Sequence, residues 1–175
     1  MNTLHIVRGL PGTGKTTFAQ KKFGGMLQLE NDQYWITPDG KYEYDEKNNP
    51  RERCSKYVKT MVVTAMQNKV NLVVSRVGMS EKSVRELVEL AQTFDYDFKI
   101  WLMSSENRRI FKNVHNVPKV AIKLMEDGFV YQLPWPQVIV GITMEEQDHD
   151  FDCPAPPPVF SYDFHDIPAS KEGHP

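Results

Sequence analysis

The run Gly9-Leu10-Pro11-Gly12-Thr13-Gly14-Lys15-Thr16-Thr17 holds the densest chemistry in this chain. Its glycines let the backbone curl until successive N–H groups face one anion-sized hollow. Lysine and threonine follow at the spacing of the Walker A pattern, GxxxxGKT. In a loop of this kind the lysine reaches the β- and γ-phosphates of a nucleotide, and the first threonine hydroxyl can hold Mg²⁺. The expected ligand is ATP with Mg²⁺. Gly9, Pro11, Gly12, Thr13, Gly14, Lys15, Thr16 and Thr17 are the expected nucleotide-binding residues, with Thr16 on the metal. A glycine-rich turn with no ligand is the bland alternative. Context argues against it, because an apolar run precedes the loop and a helical pattern follows.

A second candidate is Asp32, in Glu30-Asn31-Asp32-Gln33-Tyr34. A carboxylate placed there can enter the same cleft as the loop. An acceptor hydroxyl attacking a γ-phosphate must lose its proton, and an aspartate within hydrogen-bond reach can take it or orient the hydroxyl. The competing reading is a helix N-cap.

Positioning these groups requires alternating strands and helices. Leu4 to Val7 reads as a buried strand, Lys15 to Phe23 as a helix stopped by Gly24-Gly25, and Met26 to Glu30 as a second strand. Thr37 to Asn48 reads as a surface insert, with the form of a hairpin. Pro50 opens a helix to about Asn68, Val70 to Ser75 is a third strand, and Ser80 caps a helix from Glu81 to about Thr93. Phe98 to Met103 is a fourth strand. Glu106 to Asn113 and Pro118 to Asp127 read as short helices, and Val138 to Ile142 as one more strand. This order predicts an α/β fold of the P-loop type, three α/β/α layers on a mostly parallel sheet, with the ligand at the carboxyl ends of the strands.

The chain has 175 residues, is 40% hydrophobic and carries a formal net charge of −2. Charge is uneven: residues 1–136 hold 20 Lys and Arg against 15 Asp and Glu, whereas residues 137–175 hold one against 8. The expected organisation is a kinase domain over 1–136 and an acidic, proline-containing tail over 137–175, in which Phe160, Tyr162 and Phe164 offer docking side chains. Two distant cysteines, Cys54 and Cys153, read as free thiols of a reducing compartment. Without a signal segment or an eighteen-residue apolar run, a cytoplasmic protein with no membrane partner is expected.

The order of four pieces resembles the polynucleotide-kinase-like branch of P-loop kinases, over residues 3–133. They are RGLPGTGKTT (8–17), LENDQYW (29–35), DGKYEYD (39–45) and KNVHNVP (112–118). The resemblance implies that Lys15 and Thr16 serve the triphosphate and metal, and that Asp32 is the general base. It also implies that Asn113 and His115 sit in a lid over the phosphates. Departures from the pattern fall on the acceptor side. Relatives carry a DTNL-like sequence after the third strand, where this chain has Ser75-Arg76-Val77-Gly78, so an arginine stands where an acid is expected. Arg76 cannot bind Mg²⁺. It either grips an acceptor phosphate or the γ-phosphate, or snorkels to the surface. Lys112 stands at the lid's arginine position, with Arg108 and Arg109 one turn earlier as substitutes or as a solvated face. Trp35 replaces an acceptor-binding arginine and either stacks on a base or packs in the core.

The leading reading is an ATP-dependent kinase whose catalytic residues are Lys15, Asp32 and Arg76. Arg108, Lys112 and His115 would complete the nucleotide site. Its acceptor is a hydroxyl of a nucleic-acid 5′ end, a nucleotide or a nucleoside-containing small molecule. Two alternatives remain: a catalytically weakened ATP-binding regulatory module, and a kinase of a modified base in DNA. Long nucleic acid calls for a basic stripe with interleaved aromatics. Only Lys119, Lys123 and the cluster Lys47, Arg51, Arg53, Lys56 and Lys59 offer one.

Overall fold

The structure is a computed structural model, and it describes residues 1–35, 39, 51–109 and 118–141. Among the described residues, five strands form one sheet: β1 (Thr3–Arg8), β2 (Leu27–Glu30), β3 (Leu72–Arg76), β4 (Asp97–Met103) and β5 (Gln137–Val140). Their spatial order is β2-β3-β1-β4-β5, and every pairing is parallel. Four helices connect them: α1 (Lys15–Phe23), α2 (Arg51–Gln67), α3 (Glu81–Thr93) and α4 (Lys119–Asp127).

Parallel strands covered on both faces read as nearly continuous apolar runs, and β1 and β3 have that character. Alternation then sorts their side chains. Leu4 and Ile6 of β1, Leu72 and Val74 of β3 and Ile100 of β4 pack with Val58, Val62 and Met66 of α2 and Val84, Leu87 and Val88 of α3. On the opposite face, Val7, Val73 and Met103 pack with Ala19 and Phe23 of α1. One face of the sheet therefore belongs to α1 and the other to α2 and α3. A third cluster of Leu10, Leu102 and Phe129, with Met125 of α4 against it, closes the carboxyl end.

A local signal starts α3. Ser80 caps α3, its hydroxyl accepting from the Ser83 N–H at 3.3 Å. The strand expected at 138–142 forms over Gln137–Val140 and extends the sheet beyond β4. Of the helix expected from Glu106 to Asn113, the described part is a 3₁₀ turn over Ser105–Arg109, and 110–113 lie outside the described residues. The third strand runs one residue further than expected, so Arg76 is the last residue of β3 rather than the first of a loop. Trp35, at the end of a 3₁₀ turn over Asn31–Trp35, is only 6% exposed, which favours packing over stacking on a base. Expectations for the 37–48 insert (Asp39 apart), for the lid residues Lys112, Asn113 and His115, and for the tail beyond Gly141 lie outside the described residues.

Candidate active site

The loop between β1 and α1 lies at the carboxyl end of the central strand. Gly12 and Gly14 have φ of 75° and 79°, a left-handed backbone that side chains resist. Gly14 is also the N-cap of α1, so the positive end of that helix opens directly into the loop. Thr13 is fully buried and its hydroxyl donates to the Leu10 carbonyl at 2.8 Å, closing the loop on itself. The Lys15 ammonium donates to the same carbonyl at 3.0 Å. Burial lowers its pKa to about 8, against the opposing pull of Asp32 and Glu30. A polyanion bound beside this lysine favours its charged form and raises its pKa again.

Two buried side chains brace the loop from outside. Arg8, at the end of β1, is fully buried, and its guanidinium donates to Gln137 Oε1 at 2.9 Å and to the carbonyls of Gly78 and Val130. It lies over the Phe129 ring at 4.5 Å, and burial depresses its pKa to about 10. Asn107, 2% exposed in the 3₁₀ turn after β4, donates to Thr13 O at 3.4 Å and Val140 O at 3.1 Å. Neither was identified from the sequence. Each acts on partners distant in the chain, up to 129 residues away for Arg8 and Gln137.

Glu30 is the further residue that sequence reading passed over. It ends β2, and its Oε2 accepts the Thr16 hydroxyl at 3.0 Å. Its other oxygen, Oε1, is buried without a hydrogen bond of ordinary geometry among the described residues. Burial is the main cause raising the Glu30 pKa. The Thr16 hydrogen bond opposes that shift, the Asp32 charge adds to it, and the Lys15 charge and the Ser75 hydroxyl, hydrogen-bonding to the carboxylate, oppose it in turn. Thr16, Glu30, Asp32 and Lys15 thus lie within electrostatic reach of one another.

Asp32 sits in the 3₁₀ turn directly after β2. Beneath it, the buried Cys54 thiol of α2 donates to the Asn31 carbonyl at 3.3 Å. Burial and then the Asp32 charge push the Cys54 pKa up, while Arg76 pulls it down. Asp32 and Arg76 therefore act on the same thiol. Burial lowers the Arg76 pKa, with Glu86 of α3 and then Cys54 opposing. That is an arginine among α2 and α3, not one that snorkels freely to the surface. Strand alternation agrees: Arg76 follows Leu72 and Val74 on the α2–α3 face, and Ser75 follows Val73 on the α1 face. Among the expected basic residues, Arg53, Lys56, Lys59, Lys119 and Lys123 are exposed, and Lys123 pairs with Asp127 at 2.7 Å.

Among the described residues no helix is long and apolar enough to cross a membrane. A Pasteurella multocida protein, PM0531, of uncharacterized function, is 25% identical over 133 residues, covering 67% of this chain and 70% of that protein. A candidate kinase from Chloroflexus aurantiacus superposes with a TM-score of 0.62 at 19% identity, covering 83% of this chain and 88% of that one. A chain of the Pnkp1/Rnl/Hen1 RNA repair complex superposes with a TM-score of 0.58 at 20% identity, covering 73% of this chain. This chain spans only 43% of that larger one. These likenesses share the parallel α/β architecture expected from the motifs. The model of the AAA domain family matches residues 4–116, well over half the chain, and with the loop and sheet described above it establishes that this protein belongs to that family, among the P-loop kinases.

Proposed function

We propose that this protein is an ATP-dependent phosphotransferase acting on a hydroxyl of a nucleic-acid 5′ end, a nucleotide or a nucleoside-containing small molecule. The observation that carries the reading is the meeting of Lys15, Thr16 and Asp32 at the carboxyl end of one parallel sheet. Kinase-like neighbours support phosphoryl transfer in general terms. The acceptor class rests on the motif resemblance, with the likeness to an RNA repair chain beside it.

In this mechanism the loop N–H groups and the α1 N-terminus bind the polyphosphate, and Lys15 takes the charge of its β- and γ-oxygens. Asp32 accepts the acceptor hydroxyl's proton or orients that hydroxyl for attack. Thr16 and Glu30 offer hard oxygen donors that suit Mg²⁺, and the buried Glu30 Oε1, without a hydrogen bond of ordinary geometry among the described residues, fits a site completed by a cation. When bound, Mg²⁺ would neutralise charge on the phosphates. By the motif resemblance, Lys112, Asn113 and His115 would supply a lid over the phosphates, with Arg108 as a substitute for the lid's arginine.

Arg76 is proposed to bind a negatively charged group of the acceptor. Its neighbours are the Cys54 and Glu86 side chains, on the face of the sheet away from α1. This favours the acceptor role over a decayed metal site, because an acid at position 76 would face α2 and α3 rather than Thr16. The alternatives of a regulatory ATP-binding module and of a modified-base kinase predict different products. Incubation with γ-labelled ATP and a panel of 5′-hydroxyl oligonucleotides, nucleosides, nucleotides and modified-base DNA tests all three. Label transfer to a 5′ hydroxyl or a nucleoside is expected. Tight ATP binding with no transfer to any acceptor would replace this reading with the regulatory one.

A further inference from the structure

The hydroxyl of Thr16 has one proton and two lone pairs. Its proton is committed to Glu30 Oε2 at 3.0 Å, which leaves the lone pairs for a cation. The register places Glu30 of β2 directly beside Ser75 of β3. On the face that carries α1, the end of β3 therefore presents a neutral hydroxyl, and the carboxylate comes from the neighbouring strand. Glu30 Oε1 adds a second feature, a buried acceptor with no hydrogen bond of ordinary geometry among the described residues, although the Ser75 hydroxyl acts on the same carboxylate. Such an atom is costly unless a donor or a cation meets it.

From this contact we infer that Glu30 is the positioning residue of the Mg²⁺ site: Oε2 fixes the direction of the Thr16 hydroxyl, and Oε1 accepts from the hydration shell of the bound cation. Mg²⁺ keeps several waters in nucleotide sites and uses few protein groups, so one hydroxyl and one outer carboxylate are sufficient. Outer partners of this kind orient ligands and raise metal affinity. The inference rests on the ATP–Mg²⁺ reading above. Its rival is a structural role, in which Glu30 merely ties the first turn of α1 to β2.

The two roles part when nucleotide affinity is measured with and without metal. Glu30→Gln keeps size and removes charge. With a non-hydrolysable ATP analogue bound, Mn²⁺ affinity by electron paramagnetic resonance should fall about 10–100-fold. Affinity for the analogue in EDTA should stay level or rise, because a negative charge beside the polyphosphate has gone. Thr16→Val should cost metal affinity by a similar factor, and the double variant little more than either, since both act through one hydrogen bond. Glu30→Asp keeps the charge one methylene further back and should restore part of the loss, with melting temperatures of both variants near wild type. Equal loss of metal-free and metal-loaded binding would overturn the inference in favour of the structural tie. Unchanged Mn²⁺ affinity in Glu30→Gln would overturn it as well. A wild-type protein that binds the analogue without any metal linkage would overturn the ATP–Mg²⁺ reading itself, and this inference with it.

Discussion

The two ends of the proposed site are built by different means. On the α1 face, the phosphate loop shapes itself: Thr13 and Lys15 both return to the Leu10 carbonyl, and Gly14 starts the helix. Its groups come from one short stretch of chain, with Glu30 joining from β2. On the α2–α3 face, the proposed acceptor end is assembled from afar. Asp32 follows β2 and bridges the two ends, its charge acting on Lys15 and on Cys54, while Cys54 comes from α2, Arg76 ends β3 and Glu86 lies on α3. A contiguous site tolerates little change in its own residues. A dispersed one can change specificity by single substitutions, because each contributor sits on a separate element. This chain keeps a full phosphate motif, and the resemblance of its motifs puts the expected departures, Trp35 and Arg76, on the acceptor side.

The comparison is broken most severely at Lys15. Lys15→Ala removes the charge that meets the polyphosphate, and transfer from γ-labelled ATP should drop by about three powers of ten or more. Melting temperature should hold or rise, because burial already makes that ammonium costly to the folded chain. An active variant would end the loop assignment. Asp32→Asn comes next. Turnover should fall by roughly two to four powers of ten, while ATP affinity by calorimetry stays within a factor of about two. Loss of ATP binding would move Asp32 from the acceptor end to the phosphate end.

Arg76 sharpens the contrast between the faces. Arg76→Ala should raise the acceptor KM by about 10–100-fold, the loss of one or two charge-assisted hydrogen bonds, and leave the ATP KM unchanged. Arg76→Lys should recover part, since an ammonium cannot reproduce the planar fork. Arg76→Asp should be worse than Arg76→Ala and gain no Mg²⁺ affinity. A gain would place position 76 beside Thr16 and refute the division of the sheet into two faces.

The smallest effect is a proton. Lys15 has a pKa of about 8 in the folded chain, below its ordinary 10.5, and bound polyphosphate must raise it. ATP binding should therefore take up close to one proton at pH 9 and almost none at pH 6.5, read as a buffer-dependent calorimetric enthalpy. The folded state sheds this proton before the unfolded chain does, so Lys15 contributes stability that grows between about pH 8 and 10.5. No buffer dependence at pH 9 would mean that Lys15 is already fully charged before ATP arrives.

The phosphate end was legible because its residues are adjacent and its backbone demands glycine. The sheet was legible because apolar runs and turn formers alternate, and even β5 was expected within one or two residues. Orientation was harder. Glu30 and Asp32 are two apart, yet one ends a strand beside Thr16 and the other stands in a 3₁₀ turn near Cys54. Which carboxylate meets which partner depends on where β2 stops, and no residue type announces that. In the sequence alone, Arg76 is a loop residue in the place of an acid. One extra residue of strand, with its strict alternation, turns it toward α2 and α3. Arg8 belonged to a recognised motif and was passed over, since its partners Gly78, Val130 and Gln137 become neighbours only when the chain folds.

Arg8 also bears on how the molecule should respond to salt. Its hydrogen-bond acceptors are two carbonyl oxygens and one amide oxygen, all neutral, and the guanidinium itself is fully buried. Mobile ions screen exposed charges over about 8–10 Å but reach a buried charge–dipole bond poorly. The clasp from the foot of the phosphate loop to the segment after α4 and to β5 should then survive in molar potassium chloride. The exposed lysines Lys56, Lys59 and Lys119, which would draw in a polyanion from solution, have no such shelter. Ionic strength becomes a clean dial for this protein: it loosens the grip on a charged ligand while the frame behind that grip stays assembled.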